Sequence, residues 1–329
     1  EDLITDEIKS LLKHPGALEI LDFAEGKIKL VSVYAKKSGI LVGRQIKELN
    51  NDLPDYETRI PALYRDENLI IPTGDTTILE GDEVFFIADE KHIEDVTQEL
   101  QKLEDKYKNI YVVGAGNIGT SLASKINNDF NLKVIEKDSE QSKIASDLLD
   151  DVLILNADAA DKDFLANEGI TECDVYVAVT QDDETNVLCS LMAKKLGAKK
   201  TITIINNDAY FDLVGKNELD IIISPVQITV SYILKYVRKG SVSNVHKVKK
   251  GKAEVLEITI DNSAKGLKGK KISELEMGDS IEIPCLQRGE SVVIAHKETE
   301  LLEGDHLIIF YKDKKAFDEF YNRFKWLVF

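Results

Sequence analysis

The residues Gly114-Ala115-Gly116-Asn117-Ile118-Gly119 form a G-x-G-x-x-G, a spacing that lets backbone amides close on an anionic group. The pattern follows an apolar run, Asn109–Val113, and opens a segment in which Ile118, Leu122, Ala123 and Ile126 recur at helical spacing. A carboxylate, Glu136, ends the next apolar run, twenty residues past Gly116. In that context the three glycines do different things. Gly114 makes the tight turn, Gly116 admits a pyrophosphate to the backbone, and Gly119 lets helix pack on strand. The N–H groups at the helix start face the phosphates. Glu136 can accept both hydroxyls of an adenosine ribose and would repel a 2′-phosphate. The expected ligand is NAD(H) or an adenine nucleotide (ATP, ADP or AMP) rather than NADP.

Two more loops follow apolar runs and belong to the same candidate site. One holds Asp158 and Ala159, the other Thr180 and Gln181. Lys137, next to Glu136, is counted with them. Asp158 could orient the adenine side and Thr180 could line the crevice; helix capping is the competing reading for both. Asp161 and Asp183 each read as the start of a helix. The chemistry stops there. No histidine lies between Lys108 and Ser224, and there is no Gly-Lys-Ser/Thr phosphate loop, metal-ligand cluster or nucleophile elbow. Hydride transfer needs a group to move the substrate proton. A binding site without a reaction is expected, and no enzyme. The competing readings are an NAD-dependent oxidoreductase and a ring-forming scaffold with a vestigial site.

The elements that must position these residues are legible as an alternation of strand-like and helix-like segments. Apolar runs fall at 109–113, 133–136, 152–155, 174–179, 201–205 and 221–224. Between them, Val187, Leu188, Leu191 and Met192 share a face of a helix that ends at Gly197. Strands that are nearly all apolar and alternate with helices call for a parallel sheet covered on both faces. The fold class is therefore α/β, with a Rossmann-like doubly wound parallel sheet.

On either side of this segment the chain repeats itself. Ile4-Thr5 and Ile228-Thr229 each lead into a helix, the second running over 226–237 with Ile228, Tyr232, Ile233 and Tyr236 spaced for packing. Gly43 through Leu49 parallels Gly269 through Leu275, and Ile60-Pro61 through Arg65 parallels Ile283-Pro284 through Arg288. Leu79-Glu80-Gly81-Asp82 parallels Leu302-Glu303-Gly304-Asp305, each a Gly-Asp turn feeding a strand. Helices follow over 90–103 and 314–324. The order is a small β-rich domain, the nucleotide fold, and a second small β-rich domain. If the repeat unit is the pair, about 120 residues of a first nucleotide fold belong upstream of Glu1.

Composition narrows the partners. The net charge is −17, from 59 Asp and Glu against 42 Lys and Arg, which disfavours nucleic acid. Basic clusters at 247–252 and 265–271 read as solvated turns around glycines. Cys173, Cys189 and Cys285 form no CxxC and suit a reducing compartment. No apolar run approaches the ~18–20 residues of a spanning helix, so any membrane role would be peripheral. The tail Trp326 to Phe329 reads as a final strand, a partner contact or a cloning remnant.

Several stretches together are similar to a known family. Tyr111 through Gly119, Val134-Ile135-Glu136-Lys137-Asp138, Asn156-Ala157-Asp158 and Val179 through Asn186 resemble the TrkA/KTN (RCK) nucleotide-binding domain. The flanking Leu-Glu-Gly-Asp turns resemble that family's C-terminal (RCK_C) subdomain. The resemblance implies two small α+β RCK_C domains around the nucleotide fold. Residues 1–16 would be a linker helix from an upstream RCK_N domain, 17–105 the first RCK_C domain, 106–238 the RCK_N domain with crossover helix, and 239–329 the second RCK_C domain. It also implies a regulatory subunit of Trk-type potassium uptake, cytoplasmic and peripheral on the inner face of the plasma membrane. Such a subunit would assemble as a homo-oligomeric ring, dimer or tetramer, and gate a TrkH- or KtrB-like membrane potassium-channel subunit. In the family the fifth strand often carries an Arg that reaches phosphates; Thr201 through Asn207 lack one. A dinucleotide or a mono- or diphosphate then fits better than a triphosphate.

Overall fold

The helix α1 (Asp2–Lys13) opens the chain, and strands β1 (Ala17–Phe23), β2 (Ile28–Tyr34), β3 (Arg59–Arg65), β4 (Asn68–Ile70) and β5 (Glu83–Ala88) follow, then α2 (Ile93–Leu100). The alternating segment is β6 (Asn109–Val113), α3 (Asn117–Ile126), β7 (Asn131–Glu136), α4 (Ser139–Leu148), β8 (Leu153–Asn156), α5 (Lys162–Asn167), β9 (Val175–Ala178), α6 (Asp183–Leu196), β10 (Lys200–Ile204) and β11 (Ile221–Ile223). Then come α7 (Pro225–Val237), β12 (Val242–Val248), β13 (Ala253–Thr259), β14 (Ile281–Arg288), β15 (Ser291–Ile294), β16 (His306–Tyr311) and α8 (Lys314–Phe324). This computed structural model describes residues 1–48, 58–102, 106–207, 209, 210, 218–237, 242–249, 251–261, 264 and 266–324, and the side chains of all these except 234–237. The Tyr236 side chain and the tail from Trp326 to Phe329 lie outside what is described.

The chain divides into two compact units, Glu1–Pro15 with Asp105–Thr229, and Gly16–Glu104 with Val230–Phe329. In the first, six parallel strands lie in the order β11-β10-β9-β6-β7-β8, the doubly wound order with its switch point between β6 and β9. Val112, Val134, Val175, Tyr176 and Val177 are buried, as strands covered on both faces must be. Helix α1 docks on α3. Lys9 Nζ donates to the Lys125 carbonyl at 2.7 Å, and Lys125 Nζ reaches Thr5 Oγ1 at 2.8 Å and Asp6 at 2.6 Å.

One expected helix face is wrong. On α6 the buried residues are Asn186, Cys189, Ser190 and Ala193, whereas Leu188 is 53% exposed and Val187, Leu191 and Met192 are only half-buried. Small residues let this helix lie close to the sheet, and the buried Asn186 is spent on polar partners in the loop after β9. The helix does end at Gly197, in the left-handed conformation (φ 116°).

The second unit contains two antiparallel sheets with one topology, β1-β2-β5-β3-β4 and β12-β13-β16-β14-β15. The repeated motifs meet in each. Arg65 binds Asp82 through two hydrogen bonds (2.6 and 2.5 Å), and Arg288 binds Asp305 the same way (2.8 and 2.7 Å). Each aspartate also accepts the N–H of the leucine three residues before it, Leu79 or Leu302, at 2.8 Å. Both carboxylates are buried, which is tolerable only because the guanidinium and amide partners replace water. The two sheets share an apolar core that includes Phe23, Leu30 and Phe85 from one and Val255, Cys285 and Phe310 from the other. At one edge of that core, Lys249 pairs with the buried Glu83. The cluster at 247–252 is therefore not wholly a solvated turn, because a buried carboxylate draws its central lysine inward. The helix expected over 90–103 is shorter, a 3-10 turn at Glu90–His92 and then α2. The three cysteines are free and buried.

Candidate nucleotide site

At the switch point of a doubly wound sheet, ligands sit outside the carboxyl ends of the strands, here β6 and β9. Gly114 follows β6 with φ +97°, a conformation costly to any residue with a Cβ, and a Cβ there would stand 3.0 Å from Thr180 Cγ2. A Cβ on Gly119 would stand 1.8 Å from the Gly114 carbonyl oxygen, so this glycine is what allows α3 to start against its own turn. Gly116 differs from both: no atom lies within 4 Å of where its Cβ would be. The ladder of α3 begins with Thr120 N to Gly116 O at 2.9 Å, which leaves the N–H groups of Asn117, Ile118 and Gly119 ahead of it. Ala115 is buried, Ile118 half-buried, and the exposed Asn117 side chain donates to Glu1 Oε1 at 3.0 Å.

Glu136, at the tip of β7, is tied to the loop. Its Oε2 accepts from Ala115 N at 2.7 Å and its Oε1 from Asp138 N at 2.8 Å. Each oxygen keeps a lone pair, so the backbone bonds aim the carboxylate while leaving it able to accept a ribose diol. Lys137 and Asp158, both named from the sequence, bind each other at 2.7 Å. That hydrogen bond, with one from Ala160 N, holds the Asp158 carboxyl below its usual range. Ala159 is buried and its carbonyl accepts the Tyr176 hydroxyl at 3.4 Å. Thr180 is half-buried and Gln181 exposed.

Sequence reasoning missed two residues. Asn186, fully buried on α6, accepts from Thr180 N (2.9 Å) and Thr180 Oγ1 (2.7 Å), and donates to the carbonyls of Thr180 (3.0 Å) and Ile204 (3.1 Å). It thus fixes the loop after β9. Gln141, on the first turn of α4, donates to the Ala115 carbonyl at 2.7 Å. The spacing Asp138-x-x-Gln141 is close to a capping box, which would send that side chain to Asp138 N rather than to Ala115; Asn186 was legible only as the last residue of the stretch Val179 through Asn186 that resembles the family. One assignment moves by a residue. Asp182, not Asp183, caps α6, accepting from Glu184 N and Thr185 N, while Asp183 accepts from the backbone N–H groups of Asn206 and Asn207. Asp161 caps α5 as expected.

Among the described residues no group of three or more His, Cys, Asp or Glu is placed to hold a metal, and no helix is long and apolar enough to cross a membrane. A cleft lined by Lys108, Glu172, Asp174 and Lys199 lies at the opposite, amino-terminal ends of the strands. Its Asp174 carboxylate is taken up by Lys108 N, Asn109 N and Lys199 Nζ.

The family described as TrkA-N domain matches residues 110–225, and that described as TrkA-C domain matches residues 30–101. The Trk system potassium uptake protein TrkA of Halomonas elongata is 40% identical over 317 residues, covering 96% of this chain and 69% of that protein. The protein of the same name from Haemophilus influenzae is 38% identical over 327 residues, covering 99% and 71%. Among solved structures, the GsuK RCK domain superposes with a TM-score of 0.52 at 18% identity, covering 97% of this chain and 69% of that one. The GsuK channel bound to NAD gives 0.52 at 16%, covering 98% and 57%. At such identities these structures support the fold alone.

Proposed function

The chain belongs to the family of Trk system potassium uptake proteins TrkA, and from that premise we propose that it is a regulatory subunit which binds NAD(H) or an adenine nucleotide beside Gly114–Gly119 and biases a membrane potassium-conducting partner. The observation that carries the reading is the joined arrangement at the ends of β6 and β7: unladdered amides at the start of α3 for a diphosphate, and a carboxylate, already aimed by two backbone bonds, for the ribose. The GsuK channel that is described as bound to NAD shares this fold.

In this proposal residues 1–16 are a linker helix, 17–105 and 239–329 are RCK_C domains, and 106–238 are the nucleotide-binding domain with its crossover helix. Chains assemble as a ring, dimer or tetramer, on the inner face of the plasma membrane, against a TrkH- or KtrB-like subunit. The site binds without transforming its ligand. A ligand moves a two-state assembly only by its differential affinity for the two states, typically ~1–3 kcal/mol, or about 5- to 150-fold in the equilibrium. Potassium flux through the partner, reconstituted in vesicles with this chain present, should change when NADH or ADP is added and return when it is removed. Flux indifferent to every nucleotide, or steady consumption of the nucleotide, contradicts the reading.

A further inference from the structure

Four residues around the glycine loop close a circuit of hydrogen bonds. Glu136 Oε2 accepts from Ala115 N (2.7 Å), and the Ala115 carbonyl accepts from Gln141 Nε2 (2.7 Å). Gln141 N donates to Asp138 Oδ1 (2.9 Å), and Asp138 N donates to Glu136 Oε1 (2.8 Å). Both peptide groups of Ala115 are thereby held by one corner, the turn from β7 into α4.

The corner's effect follows from peptide geometry. In a trans peptide the C=O and the next N–H lie in one plane and point opposite ways. Gln141 draws the Ala115 carbonyl toward α4, on the β7 side of β6. The Gly116 N–H is therefore turned away from Gln141; across β6 from β7 lie β9 and the Thr180 loop, where the crevice of this fold opens. Nothing packs against the Gly116 side of that peptide, since the position of a Gly116 Cβ has no neighbour within 4 Å, and glycine has the widest choice of backbone conformations. On that side the bond from Gln141 is what holds it.

We propose that Gln141 is a positioning residue of the nucleotide site, holding the Ala115–Gly116 peptide so that the Gly116 N–H is presented to the diphosphate of the ligand. The proposal rests on the nucleotide-binding reading above. Gln141 touches no ligand atom itself. Glu136 at the ribose end is held by its own bonds to Ala115 N and Asp138 N, so Gln141 orders the phosphate end before a ligand arrives, and less order has to be created there on binding.

The test separates phosphate from nucleoside. Gln141→Met keeps the length of the side chain and removes its donor; Gln141→Ala serves as a second variant should Met disturb packing. Calorimetric titration with ADP and with adenosine is run on wild type and variant, beside thermal unfolding. The loss of one neutral hydrogen bond, about 1 kcal/mol, corresponds to ADP binding about fivefold more weakly. Adenosine affinity should stay as in wild type, while thermal unfolding reports separately the stability lost with the Gln141–Ala115 hydrogen bond. Equal weakening of ADP and adenosine, or unchanged ADP affinity, overturns the role given to Gln141 while leaving the site in place. A wild-type protein that binds neither ADP nor NADH overturns the nucleotide-binding reading instead.

Discussion

Gly116 and Gly119 sit three residues apart in one motif and answer to different constraints. A Cβ on Gly119 would penetrate the Gly114 carbonyl oxygen at 1.8 Å, and that oxygen belongs to a turn already held by Gly114 N to Ile135 O. Gly119→Ala should therefore destabilise the nucleotide fold by about 2 kcal/mol or more, seen as an earlier urea midpoint; an unchanged midpoint would mean the loop yields freely. Gly116 faces open space at φ −70°, a value any residue adopts, so its type matters to what approaches it and not to the fold. Glu136 shows how a sequence motif can be right about a residue and silent about its setting. Its place at the strand tip was readable from spacing, but its bond to Ala115 joins residues whose proximity exists only after β6 and β7 pair.

At the scale of elements, hydrophobic periodicity located the strands and most helices because burial on both faces of a parallel sheet leaves long apolar runs. It failed on α6, where the side that meets the sheet is made of Asn186, Cys189, Ser190 and Ala193 and the larger apolar residues are left half-buried or exposed. A buried asparagine is invisible to periodicity because its value lies in partners contributed by other elements, here the Thr180 loop and the end of β10. Asn186→Ala should leave the Thr180 N–H and the Ile204 carbonyl short of a partner and cost about 2 kcal/mol, with the loop after β9 exchanging its amide hydrogens faster. Unaltered exchange in that loop would show that Asn186 does not hold it. The turn aspartates Asp82 and Asp305 were legible as parts of a repeated Gly-Asp turn. Their bidentate arginines were also visible as repeated residues, but nothing in one sequence says that the two repeats pair with each other.

Over the whole second unit, duplication is plain in the shared topology of its two sheets, yet the polar edges of their common core differ. In the first sheet Glu19, Ser32 and Glu83 lie on neighbouring strands, with Ser32 opposite Glu19 and Lys249 reaching Glu83 from the other sheet. In the second, Glu257 accepts from Ala24 N and Asn244 and lies against His306. Desolvation pushes the Glu19 carboxyl from 4.5 up to about 7, with Lys249 opposing and Glu83 adding to the rise. A carboxyl with a raised folded-state value binds its proton more tightly when folded. Its contribution is thus full below the unfolded value and disappears as pH rises through the folded one. Stability of this unit should fall between about pH 5 and about pH 8, and Glu19→Gln should flatten that part of the profile; identical profiles for the two proteins would remove Glu19 as the cause.

In the proposed function a nucleotide is held by the backbone at the start of α3. Calorimetric titration of NADH and ADP into wild type and Gly116→Asp tests it most directly, since the substituted carboxylate would occupy the space an anionic ligand needs and nothing of the fold packs there. Saturable binding to wild type and none to the variant is expected, with melting temperatures alike. Equal binding by both proteins would contradict it.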